Sequence, residues 1–301
     1  MYHVLGVIFL LIGLGVALRA GKVFPPETAR LLNRFVLFIS FPCLVFRSLH
    51  GAEMDIALWT IPLPGFLLIS GAFIASFFLG TRFLSLKIKS AASFAMGAAF
   101  GNTAFLGYPF IMALRGESAL PPAIFFDQMA NFLALYSVGV AFCVYSLTGR
   151  FSFRNLWEIL KLPPFIAFWI ALVMQGTTLP PIIMEAVERL ADSTVPLIMV
   201  AIGLSLSPTH LSRHLKPLLA GTLIKLAFLP LLFLGVVRFL PLPELYREVM
   251  ILQAATPTLM TSYALASLYS LDLDLASSLI FLTTLLSLVS LPLWSLLITY
   301  V

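Results

Sequence analysis

Eight polar side chains stand inside long apolar runs, where an unpaired charge or amide is costly. They are Asn102 and Thr103; Asp127, Gln128 and Asn131; Lys225; and Gln253 and Thr256. Asp127 and Asn131 are four apart and share one face of a helix. A carboxylate at that depth reads as a proton relay or a cation site, or as a structural acid bonded near the headgroups. An asparagine amide offers two donors and an acceptor, a set that suits a carboxylate. Lys225 lies nine residues beyond Lys216, about 13 Å along a helix. There it could pair with Asp127, neutralise an anion, or snorkel along its own stem. Gln253 sits one turn before Pro257 and could serve an ion or an anion. Enzymatic chemistry is not in view. There is no GxSxG, no HExxH and no pair of deeply placed acids. His210 and His214 follow Pro208 with no glutamate after the first histidine, so no metal site is expected. Cys43 and Cys143 lack metal-ligand or CxxC spacing. No cofactor is implied.

The elements that must position these groups are membrane helices. Of the 301 residues 60% are hydrophobic and 10% charged, against about 45–50% and about 25% in soluble domains. The net charge of +5 has no polar face to sit on, which argues against a nucleic-acid partner. Membrane lipid is the expected surrounding. A span needs about 20 apolar residues. Ten runs qualify: 3–19, 33–49, 58–80, 90–114, 121–147, 162–177, 182–206, 217–239, 248–269 and 275–299. The sixth is short and interrupted by Pro163 and Pro164. The runs are continuous rather than alternating, unlike barrel strands. No basic segment precedes the first, which reads as a retained span. Twelve of the eighteen basic residues fall in odd-numbered connections and five in even-numbered ones. That bias puts the odd loops in the cytoplasm and both termini outside. Asp272 and Asp274 then fall in a cytoplasmic turn and are expected to be solvated.

The chain also repeats itself. Pro42 and Pro196 lie 154 residues apart, and Pro109 and Pro257 lie 148 apart, each close to half the length. Residues 1–147 and 162–301 are therefore expected to be two five-helix repeats joined by a short cytoplasmic linker, 148–161. An odd number of spans per half forces opposite insertion, the inverted repeat of secondary transporters. Corresponding helix breaks, here Gly107 and Pro109 in the fourth span and Pro257 in the ninth, point to a substrate site near the midplane. Pro42 and Pro196 are a second corresponding pair.

The motifs carry a resemblance. Asn102-Thr103-Ala104-Phe105-Leu106-Gly107-Tyr108-Pro109 resembles the Asn-Thr-x-x-x-Gly-x-Pro signature of the auxin efflux carrier family. Asn33-Arg34-Phe35-Val36 with Phe41-Pro42 looks like that family's second helix, and Gln253-Ala254-Ala255-Thr256-Pro257 like its ninth. The similarity runs from first span to last. It implies an all-α, ten-helix fold shared with bile-acid/sodium symporters. In that fold the fourth and ninth helices cross at their prolines and a transport domain slides against a scaffold like an elevator. The implied cargo is a small organic anion, an auxin-like acid or a dicarboxylate. Asn102 takes the position of a substrate-contacting asparagine, and Asn131 and Tyr136 resemble substrate-lining positions in the fifth helix. A homodimer in the plasma membrane is implied by the resemblance alone. Two departures are visible: Gly101 stands where plant carriers have proline, and the linker is compact, as in prokaryotic members. A sodium-coupled symporter of sterol-like acids and a non-transporting receptor are the alternatives within the same fold.

Overall fold

A computed structural model of the chain describes residues 2–25, 27–151, 154–205 and 215–299. The structure is all-helical. The helices are α1 (Tyr2–Ala20), α2 (Thr28–His50), α3 (Ile56–Arg82), α4 (Ile88–Ala99), α5 (Tyr108–Arg115), α6 (Glu117–Thr148), α7 (Pro163–Val173), α8 (Pro181–Ser205), α9 (Leu215–Val237), α10 (Glu244–Ala254), α11 (Thr261–Leu268) and α12 (Leu273–Thr299). A short 3-10 turn, Arg154–Lys161, precedes α7. No strand occurs among the described residues.

Five of these helices, α2, α3, α6, α9 and α12, are each long and apolar enough to cross a membrane. The run at 90–114 is divided into α4 and α5, and the run at 248–269 into α10 and α11. Each piece is then too short to span alone at 1.5 Å per residue. Pro163 and Pro164 open α7 rather than interrupt it. At the first turn the missing N–H would have had no partner anyway. Pro42 and Pro196 likewise open no gap. Pro196 lies inside continuous α8, and Pro42 follows a π-turn, Val36–Ser40, within continuous α2. The expectation that these two prolines break their helices is corrected, and Pro109 makes no break either. Like Pro42 it follows a π-turn, Thr103–Gly107, continuous with its helix, so that the fourth run opens at Phe100–Asn102, whereas Pro257 stands in the gap after α10.

Packing sorts the helices into two groups. In the first, α1 lies along α8, and α2 lies along α7 and α8. The remaining helices pack among themselves around α4, whose residues 91–99, all but Phe94 and Met96 of them small, are all buried. Small side chains let membrane helices approach closely. A Cβ on Gly97 would come within 2.6 Å of Leu279 on α12. In the first group α1 and α8 touch backbone to backbone where Gly15 meets Gly203. Asp272 is not simply solvated. Its carboxylate accepts hydrogen bonds from Ser90 Oγ (2.8 Å) and from the Leu275 amide (3.0 Å), capping α12 and tying it to α4. Large apolar side chains such as Leu10, Phe78, Leu231 and Leu293 stand exposed on the outer faces, as lipid contact requires.

Candidate functional site

Both helix breaks leave backbone groups that must be satisfied where no water reaches. They satisfy each other. The Asn102 amide donates to the Pro257 carbonyl at 2.7 Å, and the Leu259 amide donates to the Phe100 carbonyl at 3.0 Å. Gly101 and Thr258 thereby form an antiparallel bridge. Thr258 fixes it further by donating its hydroxyl to the Gly97 carbonyl (2.6 Å) and its amide to Thr283 Oγ1 (3.0 Å). Glycine at 101 is required by this approach, because a Cβ there would fall 2.4 Å from Thr256 Oγ1. At 107 it would fall 2.3 Å from Gln253 Oε1.

A buried polar cluster leans on the first break. Asp127 accepts from the hydroxyl of Thr103, from Tyr108 OH (3.1 Å) and from Gln128 Nε2 (2.7 Å). Asn131 Nδ2 donates to Thr103 Oγ1 (2.9 Å) and to the Gly101 carbonyl (3.0 Å). Three donors leave the carboxylate with room for one more donor, a proton or a cation. The helices reach this geometry through π-turns at Thr103–Gly107, Asp127–Asn131 and Ile224–Phe228. Each inserts one residue into an α-helix, a feature common at functional sites.

Lys225 occupies the third of these turns and is wholly buried. No ion pair joins it to Asp127, and it does not snorkel. Its ammonium donates to the Ala254 carbonyl at 2.7 Å, a helix-end acceptor freed by the second break. Lys225→Met is therefore expected to lower stability by about 1–3 kcal/mol, the cost of an orphaned buried carbonyl. Thermal unfolding in detergent measures it, and a variant as stable as wild type would release Lys225 for another role. Gln253 donates to the Ala123 carbonyl (3.1 Å), and its Oε1 has no partner. Thr256 bonds back to the Gln253 carbonyl at 2.7 Å.

Beside the crossing lies a cavity of about 1260 Å³. Asn102 forms part of its wall although the side chain is only 2% exposed, and its Nδ2 is buried without a partner. Phe41, Phe105, Phe132 and Leu259 supply apolar surface. Arg19, Lys22, Arg30 and Arg34 surround it, none of them in an ion pair with a described residue, and no acid is among the lining residues. A cation-ringed, acid-free cavity attracts and concentrates anions. In the sequence these four bases read only as a cytoplasmic connection; nothing in their spacing revealed that the end of α1 (Arg19), the turn after it (Lys22) and the first turns of α2 (Arg30, Arg34) line the cavity that reaches Asn102. A smaller cavity of about 240 Å³ continues past Asn102 between α8 and α12.

The structure thus brings Asn102, Thr103, Gly107, Asp127, Asn131, Lys225, Gln253, Thr256 and Pro257 to one crossing, with Pro109 following in the first turn of α5. It does not bring Tyr136 to the cavity wall. Tyr136 stacks on Phe132 (ring centroids 6.2 Å apart), and Phe132 takes the wall position. Pro42 and Pro196 lie in helices of the other group. His210 and His214 fall outside the described residues; among those described, no His, Cys, Asp and Glu group could hold a metal.

Sequence comparison agrees with this architecture. Residues 1–295 match the model of a family described as "Membrane transport protein". A protein of Methanothermobacter thermautotrophicus named "Uncharacterized transporter" is 32% identical over 96% of this chain and 95% of its own. An uncharacterized transporter of Methanocaldococcus jannaschii is 28% identical over 96% of each. A full-length match to the family model and to relatives of the same compact size, together with the Asn-Thr signature at the crossing, makes this chain an integral membrane protein of the membrane transport protein family, that of the auxin efflux carriers.

Proposed function

We propose that the protein is a secondary transporter that carries a small organic anion across the plasma membrane by elevator-type alternating access. The observation that carries this reading is the acid-free, cation-ringed cavity ending on the unpartnered amide of Asn102. Asn102 is its principal substrate contact, with Thr103, Asn131, Gln253 and Thr256 holding the crossing around it. Lys225 and the paired backbone dipoles make that crossing favourable to a carboxylate.

The ten spans form two inverted repeats, and reciprocal packing supports this. The first spans of the two halves are α1 and α7, and the second are α2 and α8. α1 packs on α8 while α7 packs on α2, the exchange that a two-fold relation requires. The broken helices behave alike, α4 against α12 and α10 against α6. Group one is then the scaffold, and the group holding the crossing is the part that moves. Both termini lie outside, so the cavity, rimmed by the α1–α2 connection, opens to the cytoplasm.

Flux of labelled malate, malonate or indole-3-acetate into proteoliposomes, under imposed pH, sodium and voltage gradients, tests the proposal. Saturable flux of one of these acids is expected; none for any would overturn it. Asp127 is the coupling residue of the reading. Asp127→Asn is expected to keep the fold and to lose the part of the flux that follows a pH gradient. An Asp127→Asn variant with undiminished pH-driven flux would assign coupling elsewhere. A response to voltage alone would indicate uniport, one charge being worth about 2.3 kcal/mol per 100 mV.

A further inference from the structure

Two carboxamides from the two different helix groups border the same cavity, Asn33 on α2 and Asn102 at the crossing. Each carries a buried polar atom with no hydrogen-bond partner: Oδ1 of Asn33, an acceptor, and Nδ2 of Asn102, a donor. Native proteins leave few such groups unpaired, and each asks for an explanation. One ligand can supply both missing partners. The Asn102 amide and the surrounding bases Arg30 and Arg34 are donors and serve a carboxylate. The Asn33 oxygen repels a carboxylate and is satisfied only by an O–H or N–H.

Resting on the transport reading above, we infer that Asn33 is a specificity-determining residue that accepts a hydrogen bond from the cargo, so that the protein selects a hydroxylated carboxylate over the same acid without its hydroxyl. Along α2 no other cavity-lining residue could take this role; the cavity's hydroxyl acceptors, on Ser205, Thr261 and Tyr263, lie on α8 and α11. The other cavity-lining residues close to Asn33 on its helix are Ala29, Arg30, Arg34 and Leu37, whose side chains are cationic or apolar and offer no acceptor. A site built around a substrate hydroxyl rejects the analogue that lacks it, because its own buried group is then left unpaired.

The test compares acids that differ by one hydroxyl and nothing in charge: malate with succinate, and lactate with propionate. Uptake is measured in proteoliposomes of the full-length protein. In wild type the hydroxy acid of at least one pair is expected to show a KM about tenfold below its partner, the worth of one good hydrogen bond. In Asn33→Ala that KM rises about tenfold while uptake of the deoxy acid stays within about twofold of wild type. Asn33→Leu, which keeps the volume and removes the acceptor, carries the same expectation, so poor folding of one variant leaves the other to decide. Equal KM values within each pair in wild type would overturn the inference and leave transport standing, as would an equal loss for both acids in the variants. Absence of saturable flux for all four acids would count against anion transport itself and against the inference with it.

Discussion

Alanine at position 102 is expected to lower anion flux about a hundredfold, into the background of protein-free liposomes, while the purified protein keeps its wild-type melting temperature. The two halves of this expectation come from different atoms of one residue. What Asn102 does for the fold it does through its main chain: the amide donates to Pro257, and the carbonyl accepts from Leu106 (3.2 Å) and Gly107 (3.0 Å). Alanine keeps all three bonds. The side-chain Nδ2 makes none within the protein, so its removal orphans nothing. A hydrogen bond to a charged ligand is worth about 1.5–3 kcal/mol, and about 1.4 kcal/mol is tenfold. Flux assays and thermal unfolding on the same preparation decide it. Wild-type flux in Asn102→Ala would remove Asn102 from the site, and a large fall in melting temperature would make the residue structural.

The opposite pattern, loss of structure first, is expected at Gly203. A Cβ built there lies 2.1 Å from the Ile12 carbonyl oxygen and 2.8 Å from the Gly15 Cα. These are backbone atoms of α1, which cannot rotate aside as a side chain would. Gly203→Leu must push α1 off α8 and separate the first group at its tightest contact. Overpacking of this kind costs about 3 kcal/mol or more, enough to remove most folded protein from the membrane. Gly203→Ala should show a smaller fall of the same sign. Gly6 and Gly13 on α1 have nothing within 4 Å of the added carbon. There alanine is expected to be neutral or to raise stability slightly, by up to about 1 kcal/mol. Yield of monodisperse protein and thermal unfolding across the four variants measure the contrast; a fully stable Gly203→Leu would contradict the close α1–α8 crossing.

What the sequence made legible was set by solvent. Apolar runs long enough to span a bilayer declare themselves by length, and the break at Pro257 declares itself because proline cannot donate. The cost of burying an amide or acid singled out Asn102, Asp127, Asn131, Lys225 and Gln253, and the structure gathers them. Less legible was which proline opens a helix. Pro42 and Pro196 carry the same sequence signal as Pro257, but a π-turn accommodates the first and a continuous helix the second. Partner choice was hidden too. Pairing with Asp127 was one of three readings open to Lys225, yet its ammonium donates to a carbonyl freed at Ala254. Tyr108 entered the sequence reading only as part of the signature; its hydroxyl on Asp127 comes from a π-turn that no periodicity announces. Arg30, Asn33 and Arg34 marked orientation or family in the sequence, because which cavity the first turns of a helix line is a tertiary fact that leaves no local trace.

The hydrogen-bonded crossing also sets an order of events during biosynthesis. Gly101 and Thr258 are 157 residues apart (258 − 101), and ribosomes add about 5–20 residues per second. For roughly 10–30 s the nascent α4–α5 segment has an open backbone at Phe100 and Asn102 and no sister segment to close it. In hydrocarbon each such group costs several kcal/mol. The half-made chain must therefore shelter that gap by other means, at the insertion machinery, in water near the interface, or by temporary pairing with its own Asn131. Chains arrested before residue 258 should consequently be the forms most readily recognised and destroyed by membrane proteases, and the arrival of α10 to α12 acts as the step that commits the molecule to its native state.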